Sequence, residues 1–384
     1  PTGVTANSGA TATVTVLDVG DVTIVKATDD NDSKPSIVIA GQEVILAKFK
    51  VTAANEAMTI NKMRISVIDS SSGTATSTGA TDEVAVIKLY DGATQIGASG
   101  GYSVDGSGNS AGVAIIEDLG WAIGKNEEKT LTVKAPINVI DISSANGADS
   151  GTSLYANVQA AGFEAAGSTA LDTTITTALG NQKVVYRGRP TVTTLAVPSA
   201  VFGTNPVVAK FRIAAGVTAI AFKSFSLKVE PTFATMTAAV TSTITVNKLT
   251  VNPSLTLATS VSGSTTASTG AAAIVGGATG YVTVYFATAE EIGANSYADY
   301  EVSLTFNNIS GTVGAAKLST KLNVAEAAIP TVGTFASIGG GTDDGNPSFI
   351  WSDFSKISHA ETTADWTSGY LAELPVSTPW LLSN

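Results

Sequence analysis

Leu46–Val67, LAKFKVTAANEAMTINKMRISV, returns without a gap as Val208–Val229, VAKFRIAAGVTAIAFKSFSLKV. Ala47, Lys48 and Phe49 meet Ala209, Lys210 and Phe211, and Val51, Met58, Ile60, Met63 and Ile65 meet Ile213, Ile220, Phe222, Phe225 and Leu227. Apolar character survives where identity does not, so the chain is built twice. Alternation with period two marks both copies as strands whose inner faces carry these residues. A turn at Asn55-Glu56 divides the first copy.

Further matches extend the repeat. VAVIKLYDGATQIG, Val84–Gly97, predicts a hairpin turning at Asp91-Gly92, and ITVNKLTVN, Ile244–Asn252, answers it with Lys88-Leu89 set against Lys248-Leu249. Val113–Ala135 and Val282–Phe306 each read strand, Ile-Gly turn, strand. Short strands with frequent turn signals predict an all-β chain of two tandem Ig-like β-sandwich domains. The first covers 1–187, with SLYANVQAAGFEA and QKVVYRGRP at its end, and the second covers 188–328. A short Trp-rich C-terminal segment, 329–384, follows; it holds three of the four tryptophans and the only histidine.

Composition agrees. Charged residues are only 14% of the chain, against about 25% in typical soluble proteins. At 384 residues each domain can bury a core without disulfides, and cysteine is absent. A net charge of −11 without a basic stripe argues against nucleic acid as a partner. No run of 18 apolar residues encodes a membrane span. Pro1 opens without a charged n-region and an apolar h-region, so the numbering is expected to start at a mature N-terminus from which a signal peptide was removed.

Catalytic constellations are missing. His359, beside Ser358 and Glu361, has no second histidine for a typical zinc set. Gly101–Gly106 lacks the spacing of a nucleophile elbow, and Gly276–Gly280 precedes a strand where a phosphate loop would open a helix. Glu127-Glu128, Glu290-Glu291 and Asp343-Asp344 read as solvated pairs. The expectation is therefore no enzyme and no cofactor. Calcium is the one metal with a candidate: in DDNDS, Asp29, Asn31 and Asp32 offer oxygens, although the turn equally suits water and lacks the glycine and distant glutamate of an EF-hand.

Thr11–Ala27, TATVTVLDVGDVTIVKA, is a strand pair or one strand broken at Gly20, and the second copy has only TVTTLAV, Thr191–Val197, in that place. The surplus is either an ordinary first strand or one that completes a neighbour's sheet. Thr13, Val14 and Val16 are the contact candidates at this end. Trp351, Trp366 and Trp380 are those at the other, because tryptophans so dense usually wedge into a groove.

The C-terminal residues FIWSDFS, then Ser358-His359, then TTADWTSGYL and Leu374-Pro375, resemble the C-terminal signature of predicted secreted surface proteins from candidate-phyla (Parcubacteria-like) bacteria. The AKF strands and the KLYDG hairpin resemble the tandem sandwiches of those S-layer-like proteins. The resemblance implies a secreted, cell-surface location, a structural role in a filament or S-layer with the chain itself as partner, and no catalytic residues. A carbohydrate-binding adhesin facing cell-envelope glycan is the alternative, with Trp121, Tyr281, Tyr285 or Trp351 as platforms.

Overall fold

The computed structural model describes residues 19–29, 31–69, 83–99, 103–104, 112–140, 142, 148–168, 171–199, 201, 205–232, 237–239, 244–249, 255–256, 266–267, 271–275, 280–304, 317–323, 331–339, 349–368 and 379–383. Among them there is no helix, and the chain is two β-sandwiches in tandem.

Strands of the first are β1 (Asp21–Lys26), β2 (Ser36–Ile39), β3 (Glu43–Ala54), β4 (Met58–Asp69), β5 (Lys88–Asp91), β6 (Thr94–Ala98), β7 (Ser103–Val104), β8 (Gly112–Ile116), β9 (Trp121–Ile123), β10 (Glu128–Pro136), β11 (Ser153–Val158), β12 (Glu164–Ala166), β13 (Leu171–Asp172) and β14 (Lys183–Tyr186). Those of the second are β15 (Pro190–Thr194), β16 (Val207–Ala215), β17 (Ile220–Thr232), β18 (Thr237–Ala239), β19 (Ile244–Leu249), β20 (Leu255–Thr256), β21 (Thr266–Ala267), β22 (Ala271–Val275), β23 (Gly280–Ile292), β24 (Tyr297–Leu304), β25 (Lys317–Leu322), β26 (Thr331–Gly333), β27 (Phe349–Ser352), β28 (Trp366–Ser368) and β29 (Trp380–Ser383).

The repeated motif is not a hairpin. β3 belongs to a five-stranded sheet ordered β1-β3-β10-β5-β6, whereas β4 centres the opposing nine-stranded sheet. Asn55, at φ 66°, makes the arch that carries the chain from one sheet to the other. β16 and β17 repeat this crossing between sheet β15-β16-β24-β19-β20 and the seven-stranded sheet. Each copy therefore lines both walls of its own core, which explains why its apolar positions persist. Phe49, Val51, Met58, Ile60, Met63, Ile65 and Val67 are at most 1% exposed, as the alternation predicts.

Register extends the correspondence beyond the motif. β4 is flanked by β9 and β8 on one side and by β12 and β11 on the other. β17 is flanked by the unbroken β23 on one side and by β27 and β25 on the other. Ile60 pairs with Trp121 and Ala165, and its counterpart Phe222 pairs with Glu290 and Trp351. Even the irregularity in the outer pairing recurs, between Glu164 and Ala165 and between Phe222 and Ser224. β29 pairs with β25 as β14 pairs with β11, and each meets a parallel neighbour, Val201 beside Ser383 and β2 beside β14.

Two expectations are corrected by these pairings. Residues 329–384 are not a separate module, because β27, β28 and β29 supply the strands without which the sheet around β17 would stop at β25. β1 has β15 as its counterpart, since Ile24 faces Val51 as Val192 faces Ile213, and the surplus stretch before it, Thr11–Asp18, lies outside the described residues. Leu89 faces Val133 while Val246 faces Val302, so Lys88-Leu89 corresponds to Thr245-Val246 and not to Lys248-Leu249. The Asp91-Gly92 turn forms as expected, with Gly92 at φ 57°.

One cross-sheet contact survives with its polarity exchanged. The Trp121 indole donates to Asp91 at 2.9 Å, and Lys129 approaches the same oxygen at 3.5 Å. At the matching positions of the second sandwich Lys248 donates to Glu290 at 2.7 Å.

Candidate assembly site

Trp351 is fully buried and Trp366 is 1% exposed, so neither projects as a contact for another subunit. Trp351 sits between the sandwiches, its ring centroid 5.1 Å from that of Tyr186 on β14. Trp366 packs with Phe335, and its indole donates to the Ala360 carbonyl at 2.7 Å. Trp380 is 6% exposed and donates to the Leu195 carbonyl at 2.8 Å, tying β29 to the end of β15. The grooves expected for these aromatics lie in their own chain. Thr13, Val14 and Val16 lie outside the described residues.

The seam between the sandwiches centres on Asp353, which sequence reasoning passed over because it is one carboxylate in a polar run. Its Oδ2 accepts from the Ser150 hydroxyl at 2.6 Å and from the Arg187 N–H at 2.8 Å, and its Oδ1 accepts from the Ser355 N–H at 3.1 Å. Arg187 also donates from its guanidinium to the Phe354 carbonyl at 3.0 Å. Burial pushes the Asp353 carboxyl up; the hydrogen bonds from Ser150, Ser355 and Arg187 oppose that rise, and the Asp365 charge adds to it.

His359 lies between Phe354 and Trp366, with ring centroids at 4.4 and 4.7 Å. Ser352 and Asp365 converge on it, but both meet Nδ1, at 3.5 and 2.8 Å. A hydrolytic triad needs the acid on one ring nitrogen and the serine on the other. Here Nε2 is buried without a partner, and Ser352 Oγ accepts from the Phe354 N–H. The trio is a packing cluster. Burial pushes Asp365 up, but hydrogen bonds from His359 and Thr363 outweigh it and hold the carboxyl below its ordinary range.

The calcium candidates point to lysines. Asp32 meets Lys48 at 2.7 Å, Asp29 meets Lys50 at 3.2 Å, and the Asn31 side chain accepts from Lys34 at 3.1 Å. Asn31 and Asp32 border a polar cleft of about 630 Å³ that also presents Lys34, Lys183 and Arg189. One oxygen of each already faces a lysine, and among the described residues no three His, Cys, Asp or Glu side chains are grouped to hold a metal. Of the other acids, Glu128 pairs with Lys50 and Glu127 accepts from the Gly124 N–H, while Asp343 and Asp344 lie outside the described residues.

The proposed sugar platforms divide between buried and half-buried. Trp121 is 4% exposed, Thr283 between the two tyrosines is buried, and Tyr281 and Tyr285 are half-buried.

An open place remains at the edge of the first sandwich. Among the described residues β1 ends its sheet, and β13 ends the opposing one. Between β1 and residues Thr174–Ala178 runs a groove of about 490 Å³. Val25 on β1 is 49% exposed and Leu171 on β13 is 63% exposed. In the second sandwich β28, the counterpart of β13, is covered by β26.

No helix among the described residues is long and apolar enough to cross a membrane. No protein-family model matches the chain, and no curated protein matches it. Among solved structures it is similar to the serine-rich repeat protein Srr2 of Streptococcus agalactiae, at 12% identity over 79% of this chain and 87% of that one, with a TM-score of 0.17. It is similar also to the collagen adhesin of S. aureus, at 10% identity over 79% and 85% of the two chains and a TM-score of 0.17. The collagen-binding domain of the Erysipelothrix rhusiopathiae surface protein RspB shares 9% identity over 91% of this chain and 89% of that one, with a TM-score of 0.20. Likenesses at this level concern the fold alone.

Proposed function

We propose that this chain is a secreted structural subunit that polymerises on a prokaryotic cell surface, copy joined to copy through sheet edges and terminal strands. The observation carrying this reading is the edge of β1, which no strand among the described residues covers, with a groove beside it. An unpaired edge is a template for another strand, and proteins that stay monomeric usually blunt theirs with prolines, bulges or a covering element. β1 has neither proline nor bulge in its pairing with β3. A contact joining an edge on one copy to a different segment of the next is heterologous, and it generates an open filament where its rotation does not close into a ring. The adhesin alternative keeps only the half-buried Tyr281 and Tyr285 as platforms, since Trp121 and Trp351 are buried, and no catalytic role is proposed.

Negative-stain electron microscopy of the purified full chain tests the reading. Regular polymers, filamentous or planar, are expected. A sample that stays monomeric at every concentration and salt condition tried overturns it.

A further inference from the structure

We propose that the groove along β1 is the seat for residues 11–18 of a second copy of this chain; the inference rests on the polymer reading above and names its acceptor. The inner wall is β1. The Ala27 N–H donates to Lys48 on β3, so alternation sends the N–H groups of Val25 and Thr23 to β3 and those of Lys26, Ile24 and Val22 outward. Asp172 Oδ2 takes the Val22 N–H at 2.9 Å and marks one end of the open stretch. Beyond it, among the described residues, no strand pairs with Ile24 or Lys26 on that side.

The outer wall is held in place. Ala178 exchanges two 2.9 Å hydrogen bonds with Val158, and the Thr177 hydroxyl accepts from the Ala160 N–H. Between the walls Ile24 is buried and Ile175, partly buried, packs on the same core. A strand laid here would pair with β1 and cover Ile175 with alternate side chains.

Residues 1–18 precede the described chain, and Thr11–Asp18 reads TATVTVLD. Val14 and Val16 share one face of such a strand and suit the apolar floor; Thr13 and Thr15 share the other and suit the rim of Thr174 and Thr176. Eight extended residues span roughly 26 Å, enough to follow the whole of β1.

The same residues are poorly placed to use the groove of their own copy. The Val19 carbonyl is held by the Asn55 amide at 2.9 Å. Gly20 lies so close to the second sheet that a Cβ there would come within 2.6 Å of Glu56 and Met58. Neither residue takes the positive φ that a two-residue hairpin requires. The chain thus enters β1 beside the arch without the tight two-residue turn that would lay the preceding residues directly back on β1.

The absence of cysteine makes the test clean. Full-length chains carrying Thr11→Cys, Thr13→Cys or Thr15→Cys are mixed, one at a time, with full-length Thr176→Cys under mild oxidation, and the products are mapped by mass spectrometry. Expected is loss of both monomers into a heterodimer linked between the N-terminal segment and Thr176→Cys, with homodimers at background. A double variant, Thr13→Cys with Thr176→Cys, that closes an intramolecular disulfide at high dilution overturns the inference. Polymers in the micrographs without any heterodimer overturn the groove and leave the polymer reading standing. Heterodimers without polymers support the groove and overturn the polymer reading; neither product overturns both.

Discussion

Phe222 faces Trp351 across the pairing of β17 with β27, in the register position where Ile60 faces Ala165 in the first sandwich. One copy fills that place with an aliphatic side chain and a methyl group, the other with two aromatic rings. The larger pair reaches outward to Tyr186 and joins the end of the first sandwich to the core of the second.

Truncating Trp351 to alanine should therefore cost about 3–5 kcal/mol. Both the β17 sheet and the Tyr186 contact would lose their filling. Chemical denaturation followed by tryptophan fluorescence reads the loss; a change below about 1 kcal/mol would show that the site collapses around the smaller residue. Ala165→Trp in the first sandwich should also destabilise, by about 1–3 kcal/mol or more, because Ala165 is fully buried and a close-packed core must shift to admit the larger ring.

The seam should respond to pH through Asp353. Burial raises its carboxyl above the ordinary value of 3.8, so the folded state holds the proton more tightly than the unfolded chain does. Its contribution is complete below that ordinary value and declines as pH rises through the raised one. Asp353→Asn should flatten this part of the melting-temperature profile. Asp353→Ala should cost about 1–3 kcal/mol, having left the Ser150 hydroxyl and two backbone N–H groups without an acceptor. Parallel profiles for wild type and Asp353→Asn would refute the assignment.

Asp365 should act with the opposite sign. Its carboxyl is held below 3.8 in the folded state, so its contribution is present above that value and is lost as pH falls through the lowered one. Asp365→Asn is expected to remove part of the acid-induced destabilisation. Circular dichroism melts taken across the acid range would show it, and an unchanged acid limb would count against the His359 and Thr363 bonds as its cause.

Trp121→Phe should cost about 1.5 kcal/mol through the lost donor to Asp91, the low end for a bond to a charged group because Lys129 stays nearby. In the second sandwich Glu290→Gln should weaken the matching contact with Lys248. If both variants melt with the wild type, the contact is a rim feature with no share in stability.

Much of the fold was legible because Leu46–Val67 carries both walls of a core, and a segment under that constraint keeps its apolar spacing. The Trp-rich strands escaped detection for a complementary reason. β12 and β27 match in register but place Ala165 where the other has Trp351, and the connections leading to them differ in length, so nothing in the letters aligns them. The exchange of Asp91 and Trp121 for Lys248 and Glu290 hid a shared contact in the same way. Tryptophan density correctly implied a groove, but density does not say whose groove it is. The edge of β1 was invisible because an open strand and a covered one have the same alternation.

The position of β27, β28 and β29 bears on how the protein is made. The first sandwich has all of its described strands once Tyr186 has been synthesised and can fold while the rest of the chain is still emerging. The second cannot, since β17 waits for a partner that begins at Phe349, and β25 waits for one that ends at Ser383. Throughout that interval β16 and β17 present Phe211, Phe222 and Phe225 beside an unfinished sheet. A ribosome paused between Leu322 and Phe349 would hold one finished domain and one sticky half. Slow translation there should favour aggregation, and a chaperone that shields nascent strands would find its substrate in that window.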